Sequence, residues 1–188
     1  MKSDFATRLL RLSSDKADVD QKVIDARNTS STAFDAKITE LKAKEGLTTN
    51  QLSAIDKYAT DIKAAELTRV TAVDSARLTY RTALMNTVQT QQTDMTNAVE
   101  KYQTTLDTAL TTAKVACSTA SDALSTLKTT VKTAKAELST AQKSSTKSDA
   151  IKALASTRDN AIKAANDAFK QTAKTLTATL VAVLNPSA

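Results

Sequence analysis

The 188-residue chain holds a single glycine, Gly46, and a single proline, Pro186, and no other feature constrains its fold as strongly. Sheet proteins reverse direction often, and tight turns lean on Gly, Pro, Asn and Asp. One of each of the first two cannot punctuate many strands. Ala, Leu, Lys and Gln fill much of the remainder, so the expected class is all-α. Aromatic residues are 3% of the chain, and much of the 41% hydrophobic content is alanine. Such helices approach closely but bury little area each. The composition therefore predicts an elongated antiparallel helical bundle or rod, one domain over residues 1–188, in place of a deep core.

Two stretches punctuate the chain. In KEGLTTNQL (44–52), Gly46 suits the left-handed position after a helix end, with Leu47 as its hydrophobic contact. Thr48 and Gln51 form a capping box for the next helix. In KSSTKSDAI (143–151), Thr146 and Asp149 make a looser box, and Pro186 follows the last helix. Three helices are expected, at about 5–45, 49–143 and 147–184.

The middle helix would be very long. A break at TQQTDMTN (90–97), where Asn97 and Glu100 fit a cap, would instead give an up-down four-helix bundle. The phase of the pattern opposes that break. Ile62, Val73, Leu84, Met95, Leu106 and Cys117 stand eleven apart, as do Ala54, Ala65, Ala76, Thr87, Ala98, Ala109, Ala120 and Val131. Tyr58, Tyr80 and Tyr102 lie on a third row. Eleven residues make about three helical turns, so each row is one line along a helix. A hendecad repeat of this kind predicts a nearly straight or slightly right-handed coiled coil.

Threonine forms rows of its own. Thr60, Thr71, Thr82, Thr93 and Thr104 stand eleven apart, and Thr68, Thr79 and Thr90 make a neighbouring row. Ser53, Ala64, Ser75, Asn86 and Asn97 run between them. These rows lie about 200° around the helix from Ile62. The result is a ribbon of small polar side chains, interrupted by Lys57 and Lys101. Threonine is a mediocre helix former, so propensity does not explain the ribbon. It reads as tolerated surface, as an assembly face on which small side chains let a second helix approach closely, or as an ice-binding face. The eight threonines of the two rows are the candidate assembly residues.

Much chemistry is ruled out by residue type. Without histidine, the Glu-x-x-His pair of di-iron bundles cannot be written, nor a Ser-His or Cys-His nucleophile. One glycine cannot make a phosphate-cradling loop. Asp15, Asp18 and Asp20 read as first-turn acids of a helix starting at Ser14. No catalytic, cofactor or metal residue is expected, and the chain is read as no enzyme. The net charge is +6, with Lys128, Lys132 and Lys135 on one helix face. That excess can attract an anionic partner, but no recognition motif for a specific nucleic acid accompanies it. Cys117 is alone, a small buried hydrophobe or an intermolecular bridge. MKSDFATRLLRL is too short and too charged for a signal peptide, and LTATLVAVL (176–184) is too short to span a membrane. An exported protein of this sequence would be the mature form.

Two distant stretches share a frame. TRVTAVDSARLTY (68–80) and TRDNAIKAANDAF (157–169) both place Thr-Arg, an Ala and β-branched pair, a further Ala and an aromatic at the same offsets. Those positions fall on one helical face, so the middle and last helices carry similar packing edges. The frame resembles that of Ala/Thr-rich helical proteins predicted to be exported by small-genome candidate-phylum bacteria. The resemblance implies export and a role at the cell surface, favouring that location over the cytoplasm, and it carries no activity. The function expected is that of a structural, self-associating helical protein, a homo-oligomer or filament. The alternative is a binding module coating an anionic or apolar surface, phasin-like or membrane-associated, for which DFATRLLRL and LTATLVAVL supply amphipathic ends. An ice-binding helix is a minor alternative.

Overall fold

The structure, a computed structural model, describes the backbone of residues 2–115, 120–144 and 148–185, and side chains within 20–115, 121–143 and 149–185. These residues form four α-helices and no strand: α1 (Lys2–Lys42), α2 (Thr49–Val115), α3 (Ala120–Ser144) and α4 (Ser148–Leu184). The class is all-α, as composition requires. Cys117, Thr119, Thr146 and Pro186 lie outside the described residues.

The turn between α1 and α2 follows its sequence signals. Gly46 sits at φ 80°, where a side chain would be strained. The capping box is formed in both directions. The Thr48 backbone N–H donates to Gln51 Oε1 at 2.9 Å, and the Gln51 backbone N–H donates to Thr48 Oγ1 at 3.3 Å. Gln51 then reaches across the chain, its Nε2 donating to the carbonyl of Leu184 at 3.2 Å. One side chain therefore caps the start of α2 and the end of α4. α1 already runs from Lys2, so Asp15, Asp18 and Asp20 lie inside a helix and are not first-turn acids.

The expected middle helix, 49–143, is instead two helices, which makes four in all. α2 runs unbroken through 90–97, so the eleven-residue phase was a sound guide there. α2 ends at Val115, however, and α3 folds back along it. Lys101 Nζ and Glu137 Oε2 are 2.8 Å apart, and Ala98, Tyr102 and Thr105 face Ala134, Leu138 and Ala141. The reason phase gave no warning is geometric. Ala98 and Ala134, Tyr102 and Leu138, and Thr105 and Ala141 are each 36 residues apart. That is about ten turns at 3.6 residues per turn. The faces that meet in the hairpin are thus one and the same face of an uninterrupted helix, and rows read through the turn without a shift. The stop was marked by local chemistry: TASD (119–122) has the Thr-x-x-Asp form of TKSD (146–149).

The chain divides into two compact units, Met1–Leu67 with Lys170–Ala188, and Thr68–Phe169. In the first, Ile55, Ile62 and Leu180 form the core, with Ile55 fully enclosed. Phe34 and Tyr58 rings lie 6.3 Å apart, and the Tyr58 and Thr177 hydroxyls are 3.3 Å apart. Lys63 pairs with Asp35 at 2.6 Å and Lys42 with Asp56 at 2.7 Å. These ion pairs are exposed and fix register more than they stabilise. The burial of Leu180 and the Gln51 contact give the apolar end LTATLVAVL an intramolecular partner, which the sequence did not disclose.

The second unit explains the repeated frame. Arg69, from the first copy, lies over the ring of Phe169, from the second, at 5.6 Å. Arg158, from the second copy, lies over Tyr80, from the first, at 4.4 Å. The clamp is crossed: each copy gives its guanidinium to the other's aromatic. Arg69 Nη1 also donates to Asn166 Oδ1 at 3.0 Å. Burial follows the same symmetry. Val73 and Ile162 are covered, as are Ala76 and Ala165, while Ala72 and Ala161 are exposed in both copies. The two stretches are matching halves of one antiparallel contact.

Candidate assembly surface

The threonine rows sit where their phase places them. Thr60, Thr68, Thr71, Thr79, Thr82, Thr90, Thr93 and Thr104 are all exposed on α2, as are Ser53, Ala64, Ser75, Asn86 and Asn97. On the other side of the helix Ile62 and Val73 are buried, and Leu84, Met95 and Leu106 are half-buried. Thr60 belongs to the first unit and the other seven to the second.

Helix geometry decides what these threonines present. The hydroxyls of Thr60, Thr90 and Thr93 donate to the carbonyls of Asp56, Asn86 and Gln89, at 3.0, 2.9 and 3.1 Å. The same back-bond to the residue four before recurs along the chain, at Thr32, Thr112, Thr130 and Thr157 among others. A hydroxyl whose proton is committed to its own helix offers neighbours mainly its methyl group. At these positions the face is less polar than its sequence suggests.

Sequence reasoning passed over the apolar border of this face. Leu78 is 61% exposed and Met85 59% exposed in the second unit, and Leu67 is 67% exposed in the first. Leu78 follows Thr71 by seven residues and precedes Thr82 by four, so all three share one side of α2. Leu67 and Leu78 are themselves eleven apart. That spacing was available as a signal, but the core rows were sought first.

Beyond Thr104 the threonine face meets the hairpin. Thr104, Ala109 and Thr112 of α2 and Ala123, Thr126 and Leu127 of α3 line an open groove of about 550 Å³. Its walls are methyl-rich, and Asp122 is the one charged residue among its described lining. Lys128, Lys132 and Lys135 are exposed on α3. Among the described residues no three metal-ligating side chains converge, and no helix is long and apolar enough to cross a membrane. The Lys163 ammonium is held above its usual range by a hydrogen bond to Asp167 and by that carboxylate's charge. It is fully exposed and one turn from its partner, as a surface helix pair would be. No protein-family model, curated protein or solved structure matches the chain.

Proposed function

We propose that this is a non-enzymatic structural protein that self-associates through the sides of its helices, at the cell surface or outside the cell. The observation that carries the reading is the placing of large apolar side chains. Among the described residues five apolar side chains are buried, while Leu67, Leu78, Met85, Leu110, Val115 and Leu124 remain open to solvent. Folded chains of this size normally enclose such residues, and large apolar side chains left outside support an interaction role. Where the hydroxyls bond back to their own helix, as at Thr90 and Thr93, a second helix can come close without a polar group being stranded.

The test is sedimentation over a wide concentration range. Concentration-dependent association is expected, and Thr71→Arg with Thr82→Arg should weaken it at least tenfold while helicity is unchanged. A strict monomer throughout, at moderate salt, would remove the reading. The coating of an anionic surface is a second reading, supported by the exposed Lys128, Lys132 and Lys135. Co-sedimentation with anionic vesicles, lost when the three lysines become glutamine, would favour it.

A further inference from the structure

Two stretches of α2 in the second unit repeat one order of side chains. Asp74, Leu78 and Arg81 read acid, leucine, base, and so do Asp107, Leu110 and Lys114. The steps are four and three residues in the first stretch, three and four in the second, so each is the other's spacing read backwards. At 3.6 residues per turn all six fall within about 40° of a single line along the helix. Arg81 is half-buried and the other five are exposed, Leu78 at 61% and Leu110 at 46%. Arg69 and Tyr80, which meet α4, and Ala98, Tyr102 and Thr105, which meet α3, lie about 100° or more around the helix from that line.

We infer that this face pairs with the same face of a second copy of the chain, the two α2 helices lying antiparallel about a two-fold axis at position 94. The inference rests on the self-association reading above and names its interface. In this register Asp74 meets Lys114 of the second copy, Arg81 meets its Asp107, and Leu78 meets its Leu110. Position 94 lies midway between the members of every pair, and the two-fold axis makes each contact twice. The mirrored steps bring all three pairs level at once, and a slip along the helix breaks the match. The occupant has to be another chain. α2 is unbroken, so its own residues 74 and 114 stand about 60 Å apart, from 40 residues at 1.5 Å rise. A parallel pairing in register would set every charge on its like. Between the charged ends the face is neutral, with Met85, Gln92, Thr96 and Gln103 along it. The leucines and Met85 supply the apolar contact, and the charges select the antiparallel register and the partner.

The experiment uses the full chain in two charge-swapped forms that keep the net charge. One carries Asp107→Arg with Lys114→Glu, the other Asp74→Lys with Arg81→Asp. Alone, each form opposes like charges at every pair, and sedimentation should show self-association weakened at least about tenfold. Mixed in equal amounts, the two forms restore every opposite pair, and association should return to within about threefold of the unaltered chain. Circular dichroism checks that both forms are helical. A reading that needs no charge change comes from Cys117→Ser with Thr79→Cys carrying a nitroxide. Its distance between copies should be about 45 Å, from 30 residues at 1.5 Å rise. Helical swapped chains that associate undiminished alone, or stay apart when mixed, overturn the pairing. So does a label distance below about 30 Å, which decides the matter where a swapped chain fails to fold. In each of these cases association of the unaltered chain leaves the self-association reading standing. An unaltered chain that is a monomer at every concentration overturns both.

Discussion

Gln51 is the residue on which most converges. Its carbonyl oxygen accepts from the Thr48 backbone and hydroxyl, and its amide donates to Leu184. Half of this was legible: TTNQ announces a capping box, but nothing in the sequence couples position 51 to position 184. Gln51→Glu separates the two roles. It keeps the box acceptor, loses the donor, and sets a negative charge against the carbonyl end of α4. A loss of about 1–2 kcal/mol is expected, seen as a lower midpoint in urea, with Gln51→Ala at least as severe. The Arg–aromatic clamps were legible only as a repeated frame. That Arg69 would meet Phe169, and not the Tyr80 of its own frame, depends on an antiparallel pairing that no local signal specifies. A double-mutant cycle between Arg158→Ala and Tyr80→Leu should give a coupling of about 0.5–1 kcal/mol. The same cycle between Arg69 and Tyr80 should give none.

At the scale of the helix, periodicity was reliable about faces and silent about ends. The row Ile62–Val73 is buried and the row Thr60–Thr71 exposed, as their phases require. Val73→Asp would leave a charge in the core of the second unit and should cost about 3 kcal/mol, read as a large fall in melting temperature. Thr71→Asp, two residues earlier on the open face, should change stability by less than about 0.5 kcal/mol. Equal losses would show the faces to be misassigned. Phase also predicted the continuity of α2. Spin labels at Ser75 and Thr112 should stand about 55 Å apart, from 37 residues at 1.5 Å rise, and half that distance would mean a break at 90–97. The end of α2 was missed because the faces that meet in this hairpin stand about ten whole turns apart along the chain, so the phase runs through the turn unshifted. Only the capping form of TASD distinguished the two cases, and it is a weak mark against a row of eight correctly spaced residues.

For the molecule as a whole, the decisive quantity is how little apolar surface the described residues enclose. Alanine and threonine allow close helix contact, but each removes little area from water. The heat-capacity change of unfolding should therefore fall below the usual ~12–15 cal/mol/K per residue, giving a shallow stability curve by calorimetry. A value in the ordinary range for the dilute monomer would mean a larger core than the five buried apolar side chains among the described residues provide. Composition forecast this thinness well, since one Gly and few aromatics leave little else. It could not forecast which large side chains would stay outside, because that depends on where α3 and α4 lie along α2. The crossed clamp of the second unit also ties together the histories of two distant stretches of sequence. A change at Arg69 empties the site facing Phe169, so relaxed selection appears in the other frame and not in its own. In descendants of this chain, positions 69 and 169 should drift as one pair and 80 and 158 as another. Inheritance would thus run across the two look-alike segments, and their resemblance would fade pair by pair.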